Sequence, residues 1–284
     1  SAALAAYGAA AGLRTLVLLP SGMVSAAQLV QPLAHGARVL ALATDFDGCM
    51  RHVQRLCQEE GVYLANSQNS LRIEGQKTVA FEIAEALDYQ TPDWVAIPGG
   101  NLGNVSALVR GFAMLRELGL TKRMPRVLCA QSAQADPLYR SYQNGFAPLA
   151  PLVAGPTQAS AIRIGNPVSF DKAVAALKTT HGVVTSVSEE ALAEAARRAD
   201  ETGLYACPHT AVALAAVEAQ AQAGVVKRGE RVVVVATAHG LKFTEFKSAL
   251  VADTVPDANL GGAREPFQVG NDYAAVRRAA LEAV

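Results

Sequence analysis

Apolar residues along the chain fall into short, dense runs separated by stretches with helical spacing. Runs rich in β-branched residues predict strands over 15–19, 38–43, 62–65, 94–97, 127–130, 183–186 and 231–236. Amphipathic spacing predicts helices near 25–35, 45–59, 74–87, 102–118, 135–143, 170–179, 189–203, 210–224 and 243–250, with a last one over 272–283. The chain opens in an alanine-rich, helix-like segment with no strand before it. Val232-Val233-Val234-Val235 has no polar face, as in a parallel strand covered on both sides. Ser188 ahead of Glu189 and Glu190 marks a helix start, where a hydroxyl caps free N–H groups and acids suit the dipole. This alternation predicts an α/β fold of parallel sheets with helices on both faces. Two regions break the rhythm. Residues 144–169 carry four prolines and three glycines and predict a long irregular loop, a length that usually serves function. Residues 251–272 are also rich in turn formers.

Length and composition narrow the class. A chain of 284 residues, 51% of them hydrophobic, can bury a full core. No apolar run approaches the roughly 18 residues of a membrane span, and the first residues lack a basic leader, so no membrane role is expected. Lys and Arg number 25, as do Asp and Glu, which argues against nucleic acid as a partner. Cys49, Cys57, Cys129 and Cys207 have no metal-ligand spacing. They read as reduced thiols of a cytoplasmic protein, and no metal is expected.

Three stretches could carry chemistry. Pro98-Gly99-Gly100-Asn101-Leu102-Gly103-Asn104 joins a buried strand to a helix. Its glycines let backbone N–H groups converge, and the helix start adds unpaired N–H groups, together a cup for phosphate. The spacing is neither the dinucleotide fingerprint nor the Walker loop. Asn66-Ser67-Gln68-Asn69-Ser70-Leu71-Arg72 follows the strand predicted at 62–65. Its amides, hydroxyls and Arg72 could bind phosphate or carboxylate, and its Asn and Ser could equally cap the next helix. Thr237, in Ala236-Thr237-Ala238-His239-Gly240, sits after another strand, where its hydroxyl could meet a heteroaromatic nitrogen. His209 and His239 read as packed, hydrogen-bonded side chains, and Asp45 and Asp47 as caps.

Taken with Ser25-Ala26-Ala27-Gln28-Leu29-Val30-Gln31-Pro32, Thr44-Asp45-Phe46-Asp47-Gly48-Cys49-Met50, Glu74-Gly75-Gln76-Lys77, Ala161-Ile162-Arg163-Ile164-Gly165-Asn166-Pro167, Cys207-Pro208-His209-Thr210 and Thr237-Ala238-His239-Gly240, these stretches resemble the threonine synthase family of plants and many bacteria. They run in family order over nearly the whole chain. The resemblance implies the tryptophan synthase β-like architecture, fold type II of pyridoxal-phosphate enzymes, with two α/β domains. Residues 1–62 would be the remainder of the smaller domain and residues 63–284 the larger. It implies conversion of O-phospho-L-homoserine and water to L-threonine and phosphate, commonly by dimers. By the same resemblance Gly99, Gly100, Asn101, Leu102, Gly103 and Asn104 would hold the phosphate of pyridoxal phosphate, and Thr237 would face its ring nitrogen. An uncharged hydroxyl there limits protonation of the ring. Asn66, Ser67, Arg72 and Asn101 would take the substrate phosphate.

The family's Schiff-base lysine lies in a Ser-Phe-Lys-Asp context that none of Lys77, Lys122, Lys172, Lys178, Lys227, Lys242 and Lys247 has. The chain therefore reads as an amino-terminally truncated part of an enzyme, with no catalytic residue assigned and no turnover of its own. The alternatives are a threonine or serine dehydratase-like or cysteine synthase-like enzyme, and a non-catalytic relative that binds the cofactor or a phosphorylated metabolite.

Overall fold

The apolar runs pair as parallel strands in two separate sheets. The computed structural model describes residues 2–22, 26–44, 46–66, 69–266 and 268–282. In chain order the elements are α1 (Ala2–Ala10), β1 (Leu16–Pro20), α2 (Ala26–Ala34), β2 (Arg38–Leu42), α3 (Phe46–Glu59), α4 (Ser70–Gly75), α5 (Thr78–Ala86), β3 (Trp94–Pro98), α6 (Gly103–Glu117), β4 (Arg126–Ser132), α7 (Pro137–Gln143), α8 (Phe170–Thr179), β5 (Val183–Val187), α9 (Glu189–Glu201), α10 (Pro208–Gln222), β6 (Val232–Val234), α11 (Thr244–Ala252) and α12 (Tyr273–Glu282). The region 144–169 is irregular as expected, apart from a short 3₁₀ turn at Ser160–Ile162.

β1 and β2 form the smaller sheet, in register Leu16 to Arg38. A small core of Ala5, Val17, Leu19 and Ala37 backs it. The larger sheet has the order β5-β4-β3-β6, all parallel. All five residues of β3 are buried, because helices cover both its faces. The two-residue period divides the strands. Trp94, Ala96, Leu128 and Ala130 meet Leu192, Ala193, Ala211 and Val212 from α9 and α10. Val95, Ile97, Val127 and Cys129 meet Ala80, Leu108, Phe112 and Leu177 from α5, α6 and α8. Each fully buried large side chain contributes about 1.5–3 kcal/mol.

The strand order also locates a cleft. From β3 the chain steps outward to β4 and β5, then returns to the opposite side of β3 as β6. Connections leaving β3 and β6 diverge at that point, and a crevice opens at the carboxyl ends of the two strands.

Two expectations change. Residues 62–65 form no strand. Val62 and Tyr63 are exposed, and the segment folds locally, with Asn69 Nδ2 donating to Leu64 O and to Tyr63 OH. Four apolar residues without a neighbouring edge have nothing to pair with. The helix predicted over 74–87 is two helices, α4 and α5, broken at Gln76–Lys77. The break docks on α6 at Gly111, where a Cβ would lie 2.6 Å from Lys77 O and 2.6 Å from Ala80 Cβ. That close approach seats the break between α4 and α5 on α6.

Candidate active site

Two turns leave the adjacent strands β3 and β6 at the crevice. After Pro98, Gly99 continues the ladder to β4: its N–H donates to Ala130 O at 2.8 Å and its carbonyl accepts from Gln131 Nε2 at 3.2 Å. Its missing side chain leaves room for Cys129 Sγ, 2.5 Å from where a Cβ would stand. Gly99 therefore shapes the turn from behind and does not line the crevice. Gly100 lies under the 160–162 turn, and a Cβ there would meet Ile162 Cα at 3.0 Å and Ala161 O at 3.2 Å. Leu102 is fully buried with φ +67°, a left-handed conformation that costs on the order of 1 kcal/mol or more for a side-chain-bearing residue. Among the described residues, no acceptor takes a hydrogen bond from the N–H groups of Gly100, Asn101, Leu102, Gly103 or Asn104. Asn104 Nδ2 donates to Pro98 O at 2.7 Å and ties the turn shut. No side chain caps α6, so its positive end stays open.

Gly100 through Asn104 line a cavity of about 910 Å³. Thr237, Arg72 and His209 line the same cavity, and α1 adds Ala3 and Tyr7 at the side of the smaller sheet. The two candidate anion sites and Thr237 thus share one crevice. None of the chain's lysines lines it.

Arg72 enters from α4. It has no ion-pair partner among the described residues, because Glu74 is taken by Lys77, at 2.6 Å, and by Arg110. Although one side of Arg72 is open to solvent, its packing against neighbours pushes the guanidinium below its ordinary value. Burial penalises the charged form, so an anion in the cavity would relieve that penalty. Asn69 caps α4 by accepting from Leu71 N–H at 2.8 Å, which is the capping alternative for that stretch. Asn66 does not line the cavity; its Nδ2 donates to Met50 Sδ at 3.5 Å. Ser67 lies outside the described residues, as do Asp45 and the side chain of Asp47. Asn101 lines the cavity while its Oδ1 accepts from Val168 N–H at 3.4 Å.

Thr237 is held from below by α10. Its N–H donates to Thr210 Oγ1 at 3.2 Å, and its Oγ1 is 3.6 Å from Cys207 Sγ. Cys207 caps α10, accepting from Thr210 N–H at 3.4 Å. Two buried thiols here differ in kind. Burial alone pushes Cys129 up to about 12. Burial also opposes the charge on Cys207, but hydrogen bonding by His209 and the Thr210 donors outweighs it and brings the thiol down to about 6. His209 is structural, as expected. Its Nε2 accepts from Ala161 N–H at 2.9 Å and its ring meets Phe243 edge-on, so it pins the 160–162 turn over Gly100. His239 Nδ1 accepts from Leu241 N–H at 3.2 Å. Sequence reasoning treats Cys207 merely as a reduced thiol; the signal that singles it out is Pro208, which puts a helix start directly after it.

Comparisons with known proteins identify the family. The family model described as pyridoxal-phosphate dependent enzyme matches residues 1–238. Threonine synthase 2, chloroplastic, of Arabidopsis thaliana is 50% identical over 277 residues, 97% of this chain and 54% of that protein. Threonine synthase of Methanosarcina acetivorans is 40% identical over 267 residues, 93% of this chain and 66% of that protein. The crystal structure of threonine synthase from Escherichia coli superposes with a TM-score of 0.69 at 25% identity, covering 96% of this chain and 65% of that one. Maize serine racemase, at 19% identity and a TM-score of 0.69, shares the fold. The chain spans between about half and two thirds of the length of the threonine synthases it matches.

Proposed function

We propose, because the chain belongs to the pyridoxal-phosphate-dependent enzyme family, that the whole protein is a threonine synthase converting O-phospho-L-homoserine and water to L-threonine and phosphate. The observation that carries this reading is that one cavity is lined both by Gly100 to Asn104, whose N–H groups have no partner among the described residues, and by Arg72. A dehydratase of the same fold has one phosphate to hold; a substrate with its own phosphate calls for a second anion site.

The residues fit the family's cofactor. The N–H groups of Gly100 to Asn104, at the open start of α6, would hold the phosphate of pyridoxal phosphate. Gly99 would act by shaping that turn. Thr237, at the end of β6, would face the ring nitrogen. When bound, the cofactor supplies an electron sink that lets the phosphate depart from the substrate's γ-carbon. Arg72 would hold the departing phosphate, with Asn101 adding an amide and Ser67 a hydroxyl; Asn66, bonded to Met50 outside the cavity, is left out of the clamp. Phe243, Val235 and Ile164 line the cavity with apolar surface and limit water around the reacting carbons. Because no lysine lines the cavity, the chain by itself is expected to take up the cofactor without turnover. Division near residue 62 into a smaller and a larger domain belongs to the same reading, supported by the two separate sheets. So do a homodimer and a cytoplasmic setting. The four cysteines are free, which suits reducing conditions, and among the described residues no helix is long and apolar enough to cross a membrane.

The test is phosphate release from O-phospho-L-homoserine by the full-length gene product. Phosphate and threonine in equal amounts support the proposal. Ammonia released from threonine or serine, without phosphate release from O-phospho-L-homoserine, would replace it with the dehydratase reading.

A further inference from the structure

Two acids open α9, and they part company: Glu190 faces solvent and Glu189 is buried. Both suit the helix dipole, so the dipole does not explain why Glu189 turns inward. A carboxylate inside a protein is costly unless its oxygens find donors. Both oxygens of Glu189 do. Oε1 accepts from the Ser132 hydroxyl at 3.0 Å, and Oε2 accepts from Gln158 N–H at 2.9 Å. Ser132 ends β4 and is itself fully buried, and its Oγ accepts from Gln134 N–H at 3.2 Å. Gln158 belongs to a loop that closes on itself. Leu152 N–H donates to Gly165 O at 3.1 Å, and within that neck Arg163 Nε and Nη2 donate to Ala154 O at 3.3 and 3.2 Å. The loop's inner end, Ala161, Ile162 and Ile164, is a wall of the cavity, and Ile162 lies against Gly100. The rest of the loop is fastened by Gly155 N–H donating to Gln134 O at 2.8 Å and by Gln158 on Glu189. One carboxylate therefore grips the loop directly and, through Ser132, the segment that takes Gly155.

We propose that Glu189 is a positioning residue that holds the 152–165 loop in place as the cavity wall, keeping Ile162 seated on Gly100 and water out of the amide cup. This rests on the reading of Gly100 to Asn104 as the turn that takes the cofactor phosphate. Glu189 does not line the cavity, so it acts through the loop and not on a ligand. What the loop needs from residue 189 is an acceptor oxygen at the right reach for Gln158 N–H. An amide of the same length meets that need, since its oxygen can accept from Gln158 and its NH2 can donate to Ser132 Oγ. A carboxylate one methylene shorter keeps the acid at the helix start but cannot span from α9 to both partners.

The test uses the full-length protein and pyridoxal phosphate, and reads two things: cofactor affinity by fluorescence titration, and quenching of the bound cofactor's emission by acrylamide. Glu189→Ala and Glu189→Asp should each weaken cofactor binding about tenfold, the loss expected for one hydrogen bond to a charged group, and should expose the emission to the quencher. Glu189→Gln should match the wild type in both. Should Glu189→Ala fail to fold, the contrast between the Asp and Gln variants decides alone. Glu189→Asp matching the wild type while Glu189→Gln does not would assign the effect to charge at the helix start and overturn the proposal. Wild-type affinity and quenching in the Ala and Asp variants, whatever their stability, overturns it as well. Gly100→Ala, which disturbs the cup itself, separates the two readings. If it weakens cofactor binding and the Glu189 variants do not, the cup stands and the tether falls; if none of them weakens binding, both fall together.

Discussion

At the scale of single residues, Arg72 and Gly100 decide whether two anions can be held. A guanidinium bonded to phosphate contributes roughly 1.5–3 kcal/mol, so Arg72→Ala in the complete enzyme should lower kcat/KM about 10- to 150-fold. Steady-state kinetics at constant cofactor occupancy check this. Gly100→Ala places a methyl group 3.0 Å from the backbone of Ile162, which cannot swing aside as a side-chain tip can. Cofactor affinity, read by fluorescence titration, should fall while the far-ultraviolet spectrum stays native. Gly103→Ala, whose nearest contact would be 3.6 Å, should be tolerated and serves as the control. Cys207 yields a pH prediction. Its folded thiol sits near 6 and an ordinary thiol at 9.0, so between those values the folded state binds fewer protons than the unfolded state. Its contribution to stability is complete above the upper value and is lost as pH falls through the lower one. Urea midpoints of the wild type should rise across that window relative to Cys207→Ser; parallel curves would argue against a thiolate. Of these residues, Gly100 and Arg72 are legible in the sequence because glycine runs and isolated cations after a polar stretch announce themselves. Cys207 is not, because Thr237, which lies against its sulfur, stands thirty residues further along the chain.

Among elements, the turn between β3 and α6 does most to build the site, and its closure depends on Asn104. Removing the bond from Asn104 Nδ2 to Pro98 O should cost about 0.5–1.5 kcal/mol and loosen the amide cup. Asn104→Ala should therefore show a modest drop in thermal midpoint together with a larger loss of cofactor affinity. A drop in stability with unchanged affinity would mean that the cup holds its shape without the tie. The same turn shows why it could be read early. A buried strand, glycines and a helical period lie within twenty residues, so local preferences settle the outcome. The segment 62–65 shows the converse. Its residues suit a strand, but strand formation needs an adjacent edge, and no local pattern tells whether one is there. The break between α4 and α5 was hidden for a related reason: it answers to Gly111, thirty-five residues later, whose bare backbone lets Gln76 and Lys77 dock.

In the molecule as a whole, stability leans on contacts that tie the last third of the chain to the large sheet. Lys247 of α11 is almost fully buried and meets Asp200 of α9 at 2.5 Å, with its ammonium over the Tyr205 ring. Asp200→Ala would leave a buried ammonium without its counter-charge and should cost about 3–5 kcal/mol, measurable as a fall in the denaturant midpoint. A loss below 1 kcal/mol would show that Lys247 finds another acceptor. The same region carries β6, whose pairing with β3 brings Thr237 to the glycine turn. From the order of residues alone one obtains the α/β alternation, the glycine cup and the family resemblance, because helical period, strand period and glycine freedom are local properties of the chain. That the cup, Arg72 and Thr237 share one cavity was decided by the tertiary structure. The return of β6 to the far side of β3 and the docking of α4 on α6 are long-range packing outcomes, favoured by the apolar surface they bury together and written in no single stretch.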